Sequence, residues 1–261
     1  MLTTRFKINY SIGAIANGIK TDAFTFFLLF FYSRVIGLDP LLASSAIALA
    51  LIIDSITDPL MGAISDRTKT RFGRRHPYML VSFIPITFFY ILLFSPHESW
   101  ELSQNQLFWW MFLCATFTRI GITLFEVPHR SFGAEISNDY HERTKLFSWR
   151  ELFAWTAGIS NAFFAYFVFF RSTPEYPQGQ LNPEAYFDLA LLGGFVMAVS
   201  IIFSTISTRN EGNNLSSWEG TTQLTQIINE IRIALTNKSF LIFFFGNLFH
   251  PSNCFTIHFF C

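Results

Sequence analysis

Two aspartates, Asp54 and Asp58, lie four residues apart inside an apolar stretch that runs from residue 41 to 64. Residues at this spacing share one face of an α-helix, so the two carboxylates are expected one helical turn apart. A carboxylate in the interior of a membrane is costly unless it meets a partner, water or an ion. Carboxylate oxygens suit a hard cation such as Na⁺, and a protonated carboxyl group serves H⁺ instead. The pair therefore predicts a cation site.

A structural alternative exists for the same two acids. Lys20 and Arg119 also lie in apolar stretches and could pair with Asp54 and Asp58 without any ion. The cost of intramembrane charge favours the cation site over simple pairing. Pro59 follows directly, and a proline inside a helix frees a backbone carbonyl, which is a further candidate ligand.

The composition is that of a membrane protein. Hydrophobic residues make up 51% of the chain and charged residues 14%, and there are 34 Phe, which is far outside the usage of soluble domains. Acidic and basic residues balance at 18 each, so the net charge gives no support to a nucleic-acid partner. Three scattered cysteines indicate no disulfide framework. The N-terminus leads into a long apolar stretch, which argues against a removable signal peptide.

About 20 predominantly apolar residues cross a bilayer as a helix. The sequence therefore predicts an all-α, polytopic helix bundle, with spans at residues 10–35, 41–64, 78–95, 105–128, 150–170 and 186–207. A seventh span is expected to start near residue 239. Three regions follow: the bundle at 1–207, a polar middle loop at 208–238 and the start of a second half at 239–261. The middle loop is expected to contain an amphipathic helix, whose apolar face would carry Leu224, Ile227, Ile228, Ile231 and Leu235.

Basic residues concentrate before the first span and after the second, fourth and sixth spans. The alternate loops hold only Arg34 and Arg171. Because loops rich in Lys and Arg stay on the cytoplasmic side, the N-terminus and the middle loop are predicted to be cytoplasmic. The chain is expected in the cell membrane, inner or plasma, with the lipid bilayer around it.

Several motifs occur in a fixed order along the chain. They are Asp54-x-x-x-Asp58-Pro-Leu-Met-Gly62, the basic loop from Ser65 to Pro77, Glu126-Val-Pro128, Gly133-Ala-Glu135 and Glu142-Arg143-Thr144. Together they resemble the glycoside-pentoside-hexuronide:cation symporter family of the major facilitator superfamily, whose best-known type is the melibiose permease. The resemblance covers residues from about 10 to 209. It implies two six-helix halves with the solute between them, of which this chain supplies the first half and part of a seventh helix. A truncated product that lacks its C-terminal half is therefore expected.

The resemblance also implies roles for individual residues. Asp54 and Asp58 match the family's cation ligands, and Thr123 on the fourth span matches a further ligand. Glu126 falls where the family carries an acid that hydrogen-bonds sugar hydroxyls. Arg150 matches an arginine of the same cavity, with a helix-end charge that reaches the membrane interface as the alternative.

The first span departs from the melibiose permease type. Gly18 stands where that type has a sugar-binding aspartate. Asp22, about one turn further on, could replace this carboxylate, or Lys20 and Asp22 together could bind an anionic group such as a uronate. Arg130 stands where an aromatic ring would stack on a sugar. These differences predict a solute other than melibiose.

The loop from Ser65 to Pro77 has five basic residues. In the superfamily the matching loop acts as a conformational latch, here implied for Asp66, Arg71, Gly73, Arg74 and Arg75. Arginines in the loop could pair with Asp66, Glu135 or Glu142 in one state and release them in another. Retention of positive charge in the cytoplasm explains the same residues in a simpler way.

Near the C-terminus, four residues recur at helical spacing: His250, Cys254, His258 and Cys261. One helix cannot place four ligands around a zinc ion, so no metal site or cofactor is expected beyond the coupling cation. No phosphate loop, nucleophile elbow or metalloprotease pair occurs, and an enzyme is not expected. The sequence predicts a Na⁺- or H⁺-coupled transporter of a small solute, a sugar or glycoside. The alternatives are a lysolipid-type cargo and a half that binds partners and transports nothing.

Overall fold

The computed structural model describes residues 2–68, 70, 73–96, 100–213 and 236. The chain forms two compact units, residues 1–217 and 218–261, and the long helices belong to the first. The predicted amphipathic helix, the predicted seventh span and the His and Cys residues near the C-terminus lie outside the described residues. The division of the chain at residues 207 and 238 stays a prediction.

Within the described residues, six helices are long and apolar enough to cross a membrane, and they correspond one to one to the first six predicted spans. They are α1 (Thr4–Val35), α2 (Pro40–Arg67), α3 (His76–Leu93), α4 (Gln104–Glu135), α5 (Tyr140–Phe169) and α6 (Pro183–Ser207). A short helix, α7 (Arg209–Asn213), follows. No strand occurs among the described residues. The predicted all-α membrane bundle is confirmed.

Helix α4 is longer than its hydropathy indicates, because it continues through Pro128 to Glu135. A proline costs a helix one hydrogen bond and leaves the carbonyl four residues earlier unpaired. Helix α4 continues because it packs against α2 and α3. At the other end, the Ser103 side chain and the Gln106 side chain each bond the other's backbone N–H, which forms a capping box. The polar extension beyond the apolar stretch carries Glu135 away from the centre of the bundle.

Helix α5 begins at Tyr140 rather than near residue 150. Its start is determined by Asp139, whose carboxylate accepts hydrogen bonds from the backbone N–H groups of His141 (2.8 Å) and Glu142 (3.4 Å). These two bonds favour the charged carboxylate and lower the pKa of Asp139. The first turns of α5 are polar, which is why an apolar-stretch criterion misses them.

The helices pack in a defined order. Helix α2 lies mainly against α4, and α1 lies mainly against α5 and α6. Helix α3 fills the space between α4 and α6. About half of the apolar window is buried in α1, α4 and α6, but only 17% in α2 and in α5. These two helices therefore present most of their surface to the outside of the six-helix unit.

Helices α1 and α5 cross very closely. A Cβ atom added at Gly18 of α1 would lie 2.0 Å from the carbonyl oxygen of Ala154 in α5. Gly158, one turn further along α5, faces the carbonyl of Gly18, 3.3 Å from the position of an added Cβ. Small residues allow helix backbones to approach closely in membranes, and Gly18 serves that purpose here. Position 18 therefore has no space for the aspartate of the melibiose permease type.

We expect Gly18→Ala to lower the free energy of unfolding by about 1–3 kcal/mol, because its methyl group would meet a backbone carbonyl that cannot move aside. Gly62→Ala is the matched control. The nearest atom to a Cβ there is Cγ1 of Val127 at 3.6 Å, an ordinary contact, so a neutral or slightly stabilising effect is expected. Thermal and denaturant unfolding in detergent micelles would measure both. Equal stability of the two variants would contradict the close crossing.

Candidate cation and solute site

The hydroxyl group of Thr123 on α4 lies between the two aspartates of α2. Its Oγ1 atom is 3.1 Å from Oδ1 of Asp54 and 2.7 Å from Oδ1 of Asp58. The Thr123 side chain is buried, whereas Asp58 is exposed at the surface of α2. The three predicted cation-site residues therefore form one cluster of oxygen atoms, which is open on the side of Asp58.

This cluster has too few protons for its oxygen atoms. A threonine hydroxyl carries a single hydrogen, so Thr123 donates to only one of Asp54 and Asp58 at a time. The other carboxylate oxygen then faces a lone pair of Oγ1. A proton or a cation between these oxygens removes the repulsion, and oxygen ligands of this kind are those that hard cations prefer.

Asp54 has a second partner in the guanidinium group of Arg119 on α4. Nη1 of Arg119 is 2.8 Å from Oδ2 of Asp54, and its Cζ lies 5.0 Å from the centre of the Phe24 ring. Nε of Arg119 is buried and has no hydrogen-bond partner in the described part of the chain. Asp54 thus has the ion pair that the structural alternative predicts, whereas among the described residues Asp58 receives a side-chain hydrogen bond from Thr123 alone.

Lys20 of α1 lies within electrostatic range of both Asp54 and Asp58, as well as of Arg119. No hydrogen bond or ion pair of its ammonium group occurs among the described residues. Asp22, in contrast, accepts a hydrogen bond of 2.7 Å from Nδ2 of Asn161 on α5, and both side chains are buried. Asp22 is thus bonded to α5, whereas Lys20 lies near the acids of α2, and their joint binding of a solute group stays a prediction.

A second polar cluster surrounds Glu126, one turn beyond Thr123 on α4. Oε1 of Glu126 accepts from Nε of Arg130 at 2.7 Å and from Nη2 of Arg150 on α5. Nη1 of Arg150 also donates to Glu151. Oε2 of Glu126 and Nε of Arg150 are buried and have no hydrogen-bond partner among the residues described. They are therefore one acceptor and one donor that the described structure leaves unused.

Arg150 itself is completely buried. It lies well inside α5, because the helix starts at Tyr140. The alternative interpretation of Arg150, a helix-end charge that reaches the membrane interface, is therefore wrong. Its guanidinium group instead connects α5 to α4 through Glu126.

The loop after α2 contains an ion-pair network. Nη2 of Arg75 is 2.5 Å from Oδ1 of Asp66 and 2.8 Å from Oε1 of Glu135, and Arg74 also pairs with Glu135. Gly73 precedes these arginines with φ 86°, a left-handed conformation that glycine adopts without strain. The network connects the ends of α2 and α4, as a latch requires.

One acid that was expected to pair with the latch arginines pairs elsewhere. Glu142, expected as one of its acids, pairs instead with Lys7 at 2.8 Å and with Lys145 at 3.7 Å. It therefore ties the start of α5 to the N-terminal part of α1, away from the arginines of the loop. Arg71 lies outside the described residues.

A pair of stacked rings between α1 and α4 was not predicted. The rings of Tyr10 and His129 lie 4.0 Å apart and nearly parallel, and the Tyr10 hydroxyl donates to the His129 carbonyl at 3.0 Å. Nε2 of His129 is 3.1 Å from the Tyr10 carbonyl, which can only accept, so the proton is on Nε2. Asn161 and Glu151 were also missed, although polar residues inside the apolar α5 stretch are a signal that could have indicated them.

A family model described as MFS/sugar transport protein matches residues 9–256 of the chain. This match begins in α1 and covers more than half of the sequence. The chain belongs to this family. Its members are transporters of the major facilitator superfamily rather than enzymes, and the resemblance found in the motifs is confirmed.

Three of the relatives of the chain are named symporters. It is 31% identical over 211 residues to the symporter sll1374 of Synechocystis sp., which covers 79% of the chain and 37% of that protein. It is 34% identical over 152 residues to the putative glycoside/cation symporter YagG of Escherichia coli, covering 57% of the chain and 32% of that protein. Over 163 residues it is 32% identical to the sodium-dependent lysophosphatidylcholine symporter 1-A of Danio rerio, covering 61% of the chain and 30% of that protein. The chain spans about a third of the length of these relatives.

We expect Arg150→Met to lower the free energy of unfolding by about 1–3 kcal/mol, because Glu126 and Glu151 lose a charged donor in a partly buried position, although Glu126 keeps Arg130. The control is Lys145→Met on the same helix, where the side chain is 62% exposed and its pairing with Glu142 is worth at most about 1 kcal/mol. Denaturant unfolding of the purified chain in detergent would compare the two. A loss of stability that is the same for both would show that Arg150 does not hold α4 and α5 together.

Proposed function

We propose that this chain forms the cation-binding half of a symporter that moves a sugar or glycoside-like solute together with Na⁺ or H⁺. The observation that supports this most directly is the Thr123 hydroxyl between Asp54 and Asp58, since a single proton serves two carboxylates there. The symporter relatives support the transport class, and the glycoside/cation symporter of Escherichia coli supports the solute class.

The charge of the cluster fits one monovalent cation. Asp54 and Asp58 contribute two negative charges, Arg119 compensates one of them through its ion pair, and Lys20 lies within electrostatic range but pairs with neither acid among the described residues. Asp58 therefore keeps a charge that no ion pair in the described structure compensates, and one Na⁺ or one H⁺ would neutralise it directly. Binding draws the oxygens of α2 and α4 onto one ion, so the cation stabilises the contact between these two helices.

Coupling to the solute follows from the positions of both clusters on α4. Thr123 faces the cation site, and Glu126, one turn away, faces Arg150 of α5. A cation that fixes this part of α4 also fixes the carboxylate that would bind the hydroxyl groups of the solute. By linkage, the solute then raises the affinity for the cation by the same factor.

The network of Arg75, Asp66 and Glu135 would serve as the latch of this cycle. It joins the ends of α2 and α4, the same helices that share the cation. If the N-terminus is cytoplasmic, as the distribution of Lys and Arg indicates, the latch lies on the cytoplasmic side and stabilises the state that is closed there.

Two observations favour alternatives. The relative from Danio rerio is named for lysophosphatidylcholine. The apolar surfaces of α2 and α5, which are mostly unburied, could contact a lipid-like solute along its path. The chain also aligns with only about a third of each relative, which fits a half that binds a partner and transports nothing alone.

We expect Asp58→Asn to abolish Na⁺ binding to the purified chain, because the amide cannot supply the negative charge that the ion requires. Thr123→Val should weaken binding about tenfold or more, since it removes an oxygen ligand and keeps the shape of the side chain. Equilibrium binding of radioactive Na⁺ in lipid nanodiscs, with H⁺ competition followed by changing the pH, would measure both effects.

Matched controls exist on the same two helices. Asp39→Asn changes a carboxylate that caps the start of α2, where asparagine caps equally well. Thr118→Val removes a hydroxyl that bonds back to the Cys114 carbonyl within α4. Both controls should bind Na⁺ as the unchanged chain does. Na⁺ binding by Asp58→Asn at the original affinity would refute the Na⁺ site.

For the solute, we expect Na⁺ to raise the affinity of the chain in nanodiscs for a labelled methyl glycoside. Glu126→Gln should lower this affinity strongly and leave Na⁺ binding in the absence of the glycoside unchanged, since Glu126 would contact the solute and not the ion. Labelled lysophosphatidylcholine is tested in parallel. Binding of that lipid alone would favour the lysolipid alternative, and retained Na⁺ binding without binding of either solute would favour the partner-binding half.

A further inference from the structure

We propose that Arg119 is an intrinsic occupant of the cation site, which the coupling cation must displace from Asp54. Arg119 would then determine how tightly the site binds its ion. This inference rests on the proposed cation site at Asp54, Asp58 and Thr123, and it assigns to Arg119 a competitive role rather than a purely structural one.

The ion pair has the geometry of a contact that can be released. An arginine that holds a carboxylate permanently usually forms two parallel N–H···O bonds. Here Nη1 of Arg119 alone reaches Asp54, at 2.8 Å, and no second bond between the two groups occurs in the described structure. Nε is buried without a partner, which is an unfavourable state for a polar group. The pair is therefore incompletely satisfied on the arginine side.

A second resting place for the guanidinium group lies beside the first. Cζ of Arg119 is 5.0 Å from the centre of the Phe24 ring, within the range of a cation–π interaction. Phe24 belongs to a π-helical turn of α1, Ala23–Phe27, and such turns occur frequently at functional sites. The guanidinium group can therefore leave Asp54 and still keep a favourable contact with α1.

Arg119 and an ion would each use one of the two oxygens of the Asp54 carboxylate. Oδ2 of Asp54 bonds Arg119, while Oδ1 faces Thr123 and Asp58. An ion between the two aspartates withdraws negative charge from Oδ2 and weakens its attraction for the guanidinium group. In the reverse direction, Arg119 on Oδ2 reduces the negative charge that the ion would meet, so the two cations compete for Asp54.

The competition also connects the ion to α1. Phe24 and Lys20 are both on α1, and Lys20 lies within electrostatic range of Arg119. When an ion moves the guanidinium group off Asp54, it changes the charge that α1 meets at these two positions. Binding of an ion between α2 and α4 thereby changes the electrostatic surroundings of α1.

The test measures equilibrium Na⁺ binding to the full chain in nanodiscs for two variants with opposite expected effects. Arg119→Gln removes the competitor and should raise the Na⁺ affinity about tenfold. Phe24→Leu removes the second resting place and should lower the affinity about threefold, because the guanidinium group then stays on Asp54. In the double variant the effect of Phe24→Leu should disappear. Phe117→Leu, an aromatic change on the outer face of α4, should leave the affinity unchanged.

A structural role of Arg119 predicts the opposite result, since loss of the ion pair would then weaken the site or leave it unchanged. Na⁺ affinity of Arg119→Gln at or below that of the unchanged chain overturns the proposal. If Arg119→Gln does not fold, as judged by thermal unfolding in saturating Na⁺, Phe24→Leu decides alone, and unchanged affinity overturns the proposal.

The controls separate this inference from the proposed function. If Asp58→Asn abolishes binding and Arg119→Gln does not strengthen it, Arg119 is not a competitor but the cation site stands. If the unchanged chain binds no Na⁺, the Na⁺ site and the competition of Arg119 with Na⁺ are both overturned.

Discussion

The structure depends on keeping two carboxylates inside an apolar helix. Each intramembrane carboxylate costs about 2.5–3.5 kcal/mol at the centre of a helix unless another group compensates it. The compensating groups of Asp54 and Asp58 are Thr123 and Arg119, and both come from α4. This requirement and the extensive packing of α2 on α4 point to the same pairing of helices. The site that would hold an ion is therefore also part of what holds the fold together.

The same principle acts at the other helix contacts. Glu126 of α4 meets Arg150 of α5, and Asp22 of α1 meets Asn161 of α5. Lipid tails are as apolar as leucine, so the hydrophobic effect does not choose which helices pair within the membrane. Polar contacts of this kind, together with the close approach of backbones at Gly18, select the neighbours. Four helices are connected in this way through groups that a transporter would also use.

Hydropathy predicted the six spans because the number of apolar residues needed to cross a bilayer is a local property of the chain. It placed the start of α5 too late, since the helix begins where the carboxylate of Asp139 caps it, in a polar segment. That error led to the wrong alternative for Arg150, which is buried inside the helix and not at its end. Hydropathy also could not predict the neighbours of Lys20 and Asp22, because they depend on which helices lie next to α1.

By itself, the sequence determined that the chain is a bundle of membrane helices, and that two acids one turn apart on α2 need compensation. Spacing along a helix and the cost of charge in lipid are enough for both conclusions. Only the tertiary structure decided that Arg119 takes one oxygen of Asp54, that Thr123 lies between the two acids and that position 18 has no space for a side chain. These features arise where residues distant in sequence meet, and their distances depend on how the helices cross.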